Sequence, residues 1–106
     1  MTHQDHPVAD YEAVLTEGAQ FIDVREPDEF AGGSLPGATN MPLSDFFDLA
    51  KQLDPTRRVV ALCKSGGRST NALEHLAASG FTDLVNLDGG MMGIQASAAK
   101  ERDSIS

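Results

Sequence analysis

Cys63-Lys64-Ser65-Gly66-Gly67-Arg68-Ser69 is the segment whose residue types and spacing point at chemistry. A nucleophilic sulfur is followed by a cation, paired glycines and a second cation. Glycines let a backbone curl without Cβ clashes, so successive N–H groups can converge on an anion. A thiolate in such a loop is stabilised, and its pKa is expected to fall below the free value of about 8.5. Lys64 and Arg68 add positive charge. Residues 56–73 carry Arg57, Arg58, Lys64 and Arg68 and no acid, whereas the chain as a whole has 16 acidic and 8 basic residues. That local inversion predicts an anion site at the edge of the sheet. A lone cysteine is more often an inert apolar side chain. The order of cysteine, paired glycine and arginine between a strand and a helix is rarer.

The elements that would position this loop are legible on either side. Val59-Val60-Ala61-Leu62 is an apolar run without alternation, as in a strand buried on both faces of a parallel sheet. A helix is predicted from about residue 68 to 79, with Ala72, Leu73, Leu76 and Ala77 facing inward and Gly80 as its stop. Cys63 then stands at the carboxyl end of a strand, ahead of a helix N-terminus. Ligands of open α/β sheets bind there.

Further strands are predicted over residues 20–24, 38–41 and 82–87. Helices are predicted over 9–17, over 27–31 as one turn begun by Pro27, over 44–53 with Ser44 as N-cap, and after Gly89-Gly90. This alternation reads as an α/β domain with a mainly parallel sheet and helices on both faces. The domain is bounded as a flexible N-terminus over 1–7, a folded unit over 8–98 and a polar tail over 99–106.

Composition narrows the function. The 106 residues, 41% hydrophobic and 23% charged, suit one ordinary globular domain. The net charge of −8 argues against nucleic-acid binding and against docking on an anionic membrane. No run is long and apolar enough for a transmembrane helix, and the polar start lacks a secretory pattern. A cytoplasmic protein with a reduced thiol is expected. One cysteine leaves no internal disulfide and no cysteine-rich zinc site. His3 and His6 fall in the polar N-terminus and are expected to be disordered. His75 is expected to be partly exposed, and no metal site is expected.

Several motifs in order resemble the rhodanese (sulfurtransferase) family. Phe21-Ile22-Asp23-Val24-Arg25-Glu26-Pro27-Asp28-Glu29-Phe30 is similar to the family's opening motif, and Leu35-Pro36-Gly37-Ala38-Thr39-Asn40-Met41-Pro42 to its second. The Cys63 to Ser69 loop resembles its active-site loop. Gly80-Phe81 and Asn86-Leu87-Asp88-Gly89-Gly90 resemble its closing motifs. The match spans about residues 8–95. It implies a rhodanese-like fold with five parallel strands, no cofactor and no metal. It implies that Cys63 takes sulfane sulfur from a small anionic donor such as thiosulfate, holds it as a persulfide, and passes it to a thiol or cyanide acceptor. Lys64, Ser65, Gly66, Gly67, Arg68 and Ser69 would bind donor and persulfide. Asp23 and Arg25 match the family's Asp-x-Arg, and on their own chemistry read as a buried salt-bridge network.

The spacing Cys-x4-Arg is the family's sulfurtransferase length. Related phosphatases and arsenate reductases use a loop one residue longer. Two positions depart from the pattern: Ser34 stands where many members have histidine, and Ile94 where many have an aromatic residue. Phe46-Phe47 is expected in the core with one ring exposed near the site opening, and Met91-Met92 in the core or lining that opening. The alternatives are a sulfur-relay module loaded by a protein persulfide donor, and a non-catalytic interaction module of the same fold.

Overall fold

The computed structural model describes residues 3–64 and 67–94. Ser65, Gly66 and the expected tail over 99–106 lie outside the described residues. Five strands form one parallel sheet in the order β1-β5-β4-β2-β3. They are β1 (Gln4–Pro7), β2 (Gln20–Asp23), β3 (Thr39–Asn40), β4 (Val59–Leu62) and β5 (Leu84–Asp88). Every residue of β4 is buried, as its unbroken apolar run requires of a central parallel strand.

Alternation along the strands divides the core in two. Ile22, Val59, Ala61 and Leu84 pack with Phe46, Ala72, Leu73 and Leu76 on one face. Phe21, Val60, Leu62, Val85 and Leu87 pack with Val8, Tyr11, Val14, Met91 and Ile94 on the other. Helices therefore cover both faces, as expected. The principal one is α3 (Gly67–Ala78), whose buried Ser69, Ala72, Leu73 and Leu76 recur at helical spacing. It stops at Gly80, where φ is +100°, and Phe81 N–H returns to the Leu76 carbonyl.

Three segments differ from the sequence reading. Gln4–Pro7, expected to be a flexible N-terminus, is the edge strand β1, so His3 and His6 are ordered beside it. Its polar sequence suits a strand paired on one side only. The helix expected over 9–17 is a 3-10 turn, Val8–Ala13, broken at Asp10. The chain leaves β1 at Pro7 and must turn at once, leaving no run for i→i−4 bonding. The helix expected over 44–53 is a succession of short turns: Leu43–Asp45, α2 (Phe46–Leu49) and Ala50–Gln52. Ser44 caps nothing there; its hydroxyl donates to Glu26 at 3.3 Å. Phe46 is 1% exposed and Phe47 69% exposed, so the adjacent rings divide between core and surface. The single turn begun by Pro27 is α1 (Pro27–Ala31), its N-terminus held by a Glu26–Glu29 capping box.

Candidate functional site

Cys63 is the first residue beyond β4 and Gly67 the first of α3. The loop between them is short, so the sulfur sits beside the first turn of a twelve-residue helix. Cys63 is fully buried. Its Sγ lies 3.3 Å from Ser69 Oγ. Ser69 is also buried and donates to Asn86 Oδ1, and Asn86 Nδ2 donates to Asp5 Oδ1 at 3.0 Å.

The floor of the loop is set from the far end of the chain. Met91 N–H donates to the Cys63 carbonyl at 2.8 Å, and Met92 N–H to the Lys64 carbonyl at 2.9 Å. Gly90, at φ +55°, permits this approach. A Cβ there would stand 2.6 Å from the Lys64 carbonyl carbon and nearer still to the Cys63 oxygen.

Arg68 is not free. Its Nη1 and Nη2 donate to the two oxygens of Glu29 at 2.6 and 2.8 Å. That hydrogen bonding lowers the Glu29 pKa to about 2 and raises that of Arg68. Glu29 lies on α1, 39 residues away in sequence, and the loop spacing gave no sign of it. The expected concentration of cations also needs correction. Arg57 and Arg58 precede β4 and lie at the end of the sheet opposite Cys63. There Arg57 donates to the Gly18 carbonyl at 2.7 Å and Arg58 pairs with Asp83 at 3.1 Å. Only Lys64 and Arg68 of the four reach the loop.

Asp23 and Arg25 form the expected buried network. Arg25 Nη2 lies 2.8 Å from Asp23 Oδ2, and its Nε is 3.1 Å from both carboxylate oxygens. Arg25 also donates to the Gly33 carbonyl at 2.7 Å, and Ser34 Oγ donates to Asp23 Oδ2 at 2.7 Å. The hydroxyl of Ser34 thus spans from its loop to Asp23. Asp23 alternates with Ile22, so it leaves the sheet on the face opposite Cys63.

A cleft of about 250 Å³ opens against this end of the sheet, lined by Arg25, Asp28, Glu29, Lys64, Met91 and Met92 among others. Lys64 is exposed and ion-pairs with none of the described residues. Met92 is 52% exposed, and Ile94 is partly buried against the Leu62–Leu87 cluster. A larger apolar groove of about 570 Å³ between α2 and the end of α3 contains no residue of the Cys63 loop. His75 borders it, half-buried, with its ring 4.5 Å from that of Phe47. Among the described residues no cluster of His, Cys, Asp and Glu could hold a metal ion, and no helix is long and apolar enough to cross a membrane.

A family model described as "Rhodanese-like domain" matches residues 8–97. The chain is 41% identical over 96 residues to the Arabidopsis thaliana "Rhodanese-like/PpiC domain-containing protein 12, chloroplastic", covering 87% of this chain but only 31% of that relative's length. It is 31% identical to "Thiosulfate sulfurtransferase GlpE" of Pseudomonas entomophila, covering 74% of this chain and 72% of that one. The crystal structure of a rhodanese-like domain protein from Staphylococcus aureus superposes with a TM-score of 0.76 at 27% identity, covering 85% of this chain and 89% of that one.

Proposed function

The chain belongs to the rhodanese-like domain family, and from that premise we propose that it is a sulfurtransferase with Cys63 as its nucleophile. The supporting observation is the placement of the chain's only cysteine at the carboxyl end of the central strand, against the first turn of α3, with Arg68 held at that turn by Glu29. A helix N-terminus favours the anionic forms of both thiol and persulfide.

The first half-reaction begins once the Cys63 thiol has lost its proton to solvent. The thiolate attacks the outer sulfur of thiosulfate. A sulfur–sulfur bond forms to Cys63, the donor's sulfur–sulfur bond breaks, and sulfite leaves with the electron pair. In the second, cyanide or an acceptor thiolate attacks the terminal sulfur, and Cys63 leaves as the thiolate. The product is thiocyanate or an acceptor persulfide. No cofactor or metal takes part in either step. A reduced thiol suits the cytoplasm.

The cleft favours a second reading within the same chemistry, that of a relay loaded by a protein persulfide. Asp28 and Glu29 line the cleft with Arg25 and Lys64. Arg25 and Arg68 already bind carboxylates, so among the described residues a small dianion meets one unpaired cation, Lys64.

Intact-mass spectrometry after thiosulfate treatment, and separately after a persulfide-bearing protein, tests both readings. A gain of about 32 Da on the wild type, absent from Cys63→Ser and removed by cyanide, is the expected result. Loading by the protein donor alone supports the relay. Loading by neither overturns the sulfurtransferase assignment.

A further inference from the structure

The polar side chain of Asn86 lies in the middle of β5, among Leu84, Val85 and Leu87, and is 3% exposed. A buried amide must be hydrogen-bonded. The register across the sheet explains how. Asp5 of β1 lies opposite Asn86, and Ala61 of β4, two residues before Cys63, lies on its other side. Asn86 therefore bridges the edge strand and the sulfur.

The direction of these bonds follows from the donor inventory. Asp5 Oδ1 receives Asn86 Nδ2 at 3.0 Å, and His3 Nε2 lies 3.3 Å from the same oxygen. A carboxylate only accepts, so the amide must present its NH₂ to Asp5 and its carbonyl to Ser69. The Ser69 hydroxyl must then donate to Asn86. It has one proton, and that proton points away from Cys63. What Ser69 offers the sulfur at 3.3 Å is a lone pair.

We propose that Asp5 and Asn86 are positioning residues that fix the polarity of the Ser69 hydroxyl, so that Ser69 accepts a hydrogen bond from the Cys63 thiol instead of donating one to the thiolate. The inference rests on the reading of Cys63 as the nucleophile. It sets two influences against each other. The first turn of α3, with Arg68 and the adjacent Lys64, favours the thiolate. The Ser69–Asn86–Asp5 chain favours the thiol. At this end of the sheet Arg68 is paired with Glu29, and Asp23 with Arg25 on the opposite face, while Asp28 lines the cleft and Asp88 ends β5, each without an ion pair among the described residues. The polar chain is thus a brake on ionisation, anchored at an exposed residue of the edge strand.

The test is the pH profile of Cys63 alkylation by iodoacetamide, read beside a circular-dichroism melt to verify folding. Asp5 is 61% exposed in its side chain, so its variants should fold. Asp5→Ala frees the amide to turn over, which lets Ser69 accept from Asn86 and donate to sulfur. Its ionisation midpoint should fall by about one unit, the size of one modest hydrogen bond. Asp5→Asn removes the charge but keeps a carbonyl oxygen to accept from Asn86 Nδ2, with its new NH₂ turned to solvent at this exposed position, so it should stay near the wild-type midpoint. Ser69→Ala should leave the midpoint level or lower it, whereas a hydroxyl that donates to the thiolate would make it rise. Equal shifts in the two Asp5 variants, no shift in Asp5→Ala, or a rise in Ser69→Ala would each overturn the proposal. Alkylation does not require sulfur transfer. Unchanged midpoints in a protein that still transfers sulfur would sink this inference alone. The expected shifts in a protein that cannot be loaded with sulfur would sink the functional reading alone.

Discussion

Arg68 and Glu29 form a two-pronged ion pair, each guanidinium nitrogen on its own carboxylate oxygen at 2.6 and 2.8 Å, that ties the first turn of α3 to α1. The parallel geometry restricts both side chains more than a single contact would. The pair fixes the arginine that closes the Cys63 loop, and it occupies that arginine before any donor arrives.

The pair should show in the acid limb of stability. Glu29 has its pKa lowered from 4.5 to about 2. A depressed carboxylate contributes stability that is present above its ordinary pKa and lost as pH falls through the depressed one. Glu29→Gln should therefore be less stable than wild type at pH 7, by about 0.5–1 kcal/mol for a partly exposed pair. The gap should shrink between pH 4.5 and about 2. Urea midpoints of both proteins across that window check it, and a gap independent of pH would contradict the pairing.

Asp23 is fully buried and receives Arg25 and Ser34. Asp23→Ala leaves a buried guanidinium without its carboxylate and should cost about 3–5 kcal/mol. Ser34→Ala removes one hydrogen bond and should cost about 1 kcal/mol. Chemical denaturation of the two variants measures the contrast. Similar losses would mean that Arg25 finds another acceptor.

Gly90 separates residues 91–94 from the loop they support. Gly90→Ala would drive a methyl group into the backbone of Cys63 and Lys64, which no rotamer change relieves. The variant should lose about 2 kcal/mol or more, and Cys63 should be alkylated faster as the loop parts from Met91 and Met92. A melt and an alkylation time course would show it.

Lys64 is the unpaired cation of the cleft among its described residues. If thiosulfate is a donor, Lys64→Ala should raise its KM about fivefold, equivalent to about 1 kcal/mol of exposed charge interaction. Turnover at saturation should change little, and the salt dependence of KM should weaken. Steady-state kinetics at two ionic strengths separates this outcome from a loss of kcat, which would place Lys64 in the chemical step.

Much of this molecule follows from sequence alone because its signals are local. The unbroken apolar run 59–62 suits a strand buried on both faces of a parallel sheet. Pro27 and Gly80 mark helix ends through their own backbone restrictions. Cys63 stands between strand and helix by chain order, so its place at the sheet's carboxyl edge needs no distant contact. The tertiary structure decided what each polar group faces. The polar strand 4–7 looked like a loose end because the edge of β5 that it pairs with lies some eighty residues away. Arg57 and Arg58 counted toward a basic site until the fold carried them to the opposite end of β4. Glu29 on Arg68, and Asp5 with Asn86 behind Ser69, are partners separated by 39 and 81 residues. Asn86 alone left a trace, a polar residue inside a buried strand that must be hydrogen-bonded. Its partner could not be named, because hydrogen bonds and ion pairs act through space over about 3 Å, and only the folded chain brings such residues that close.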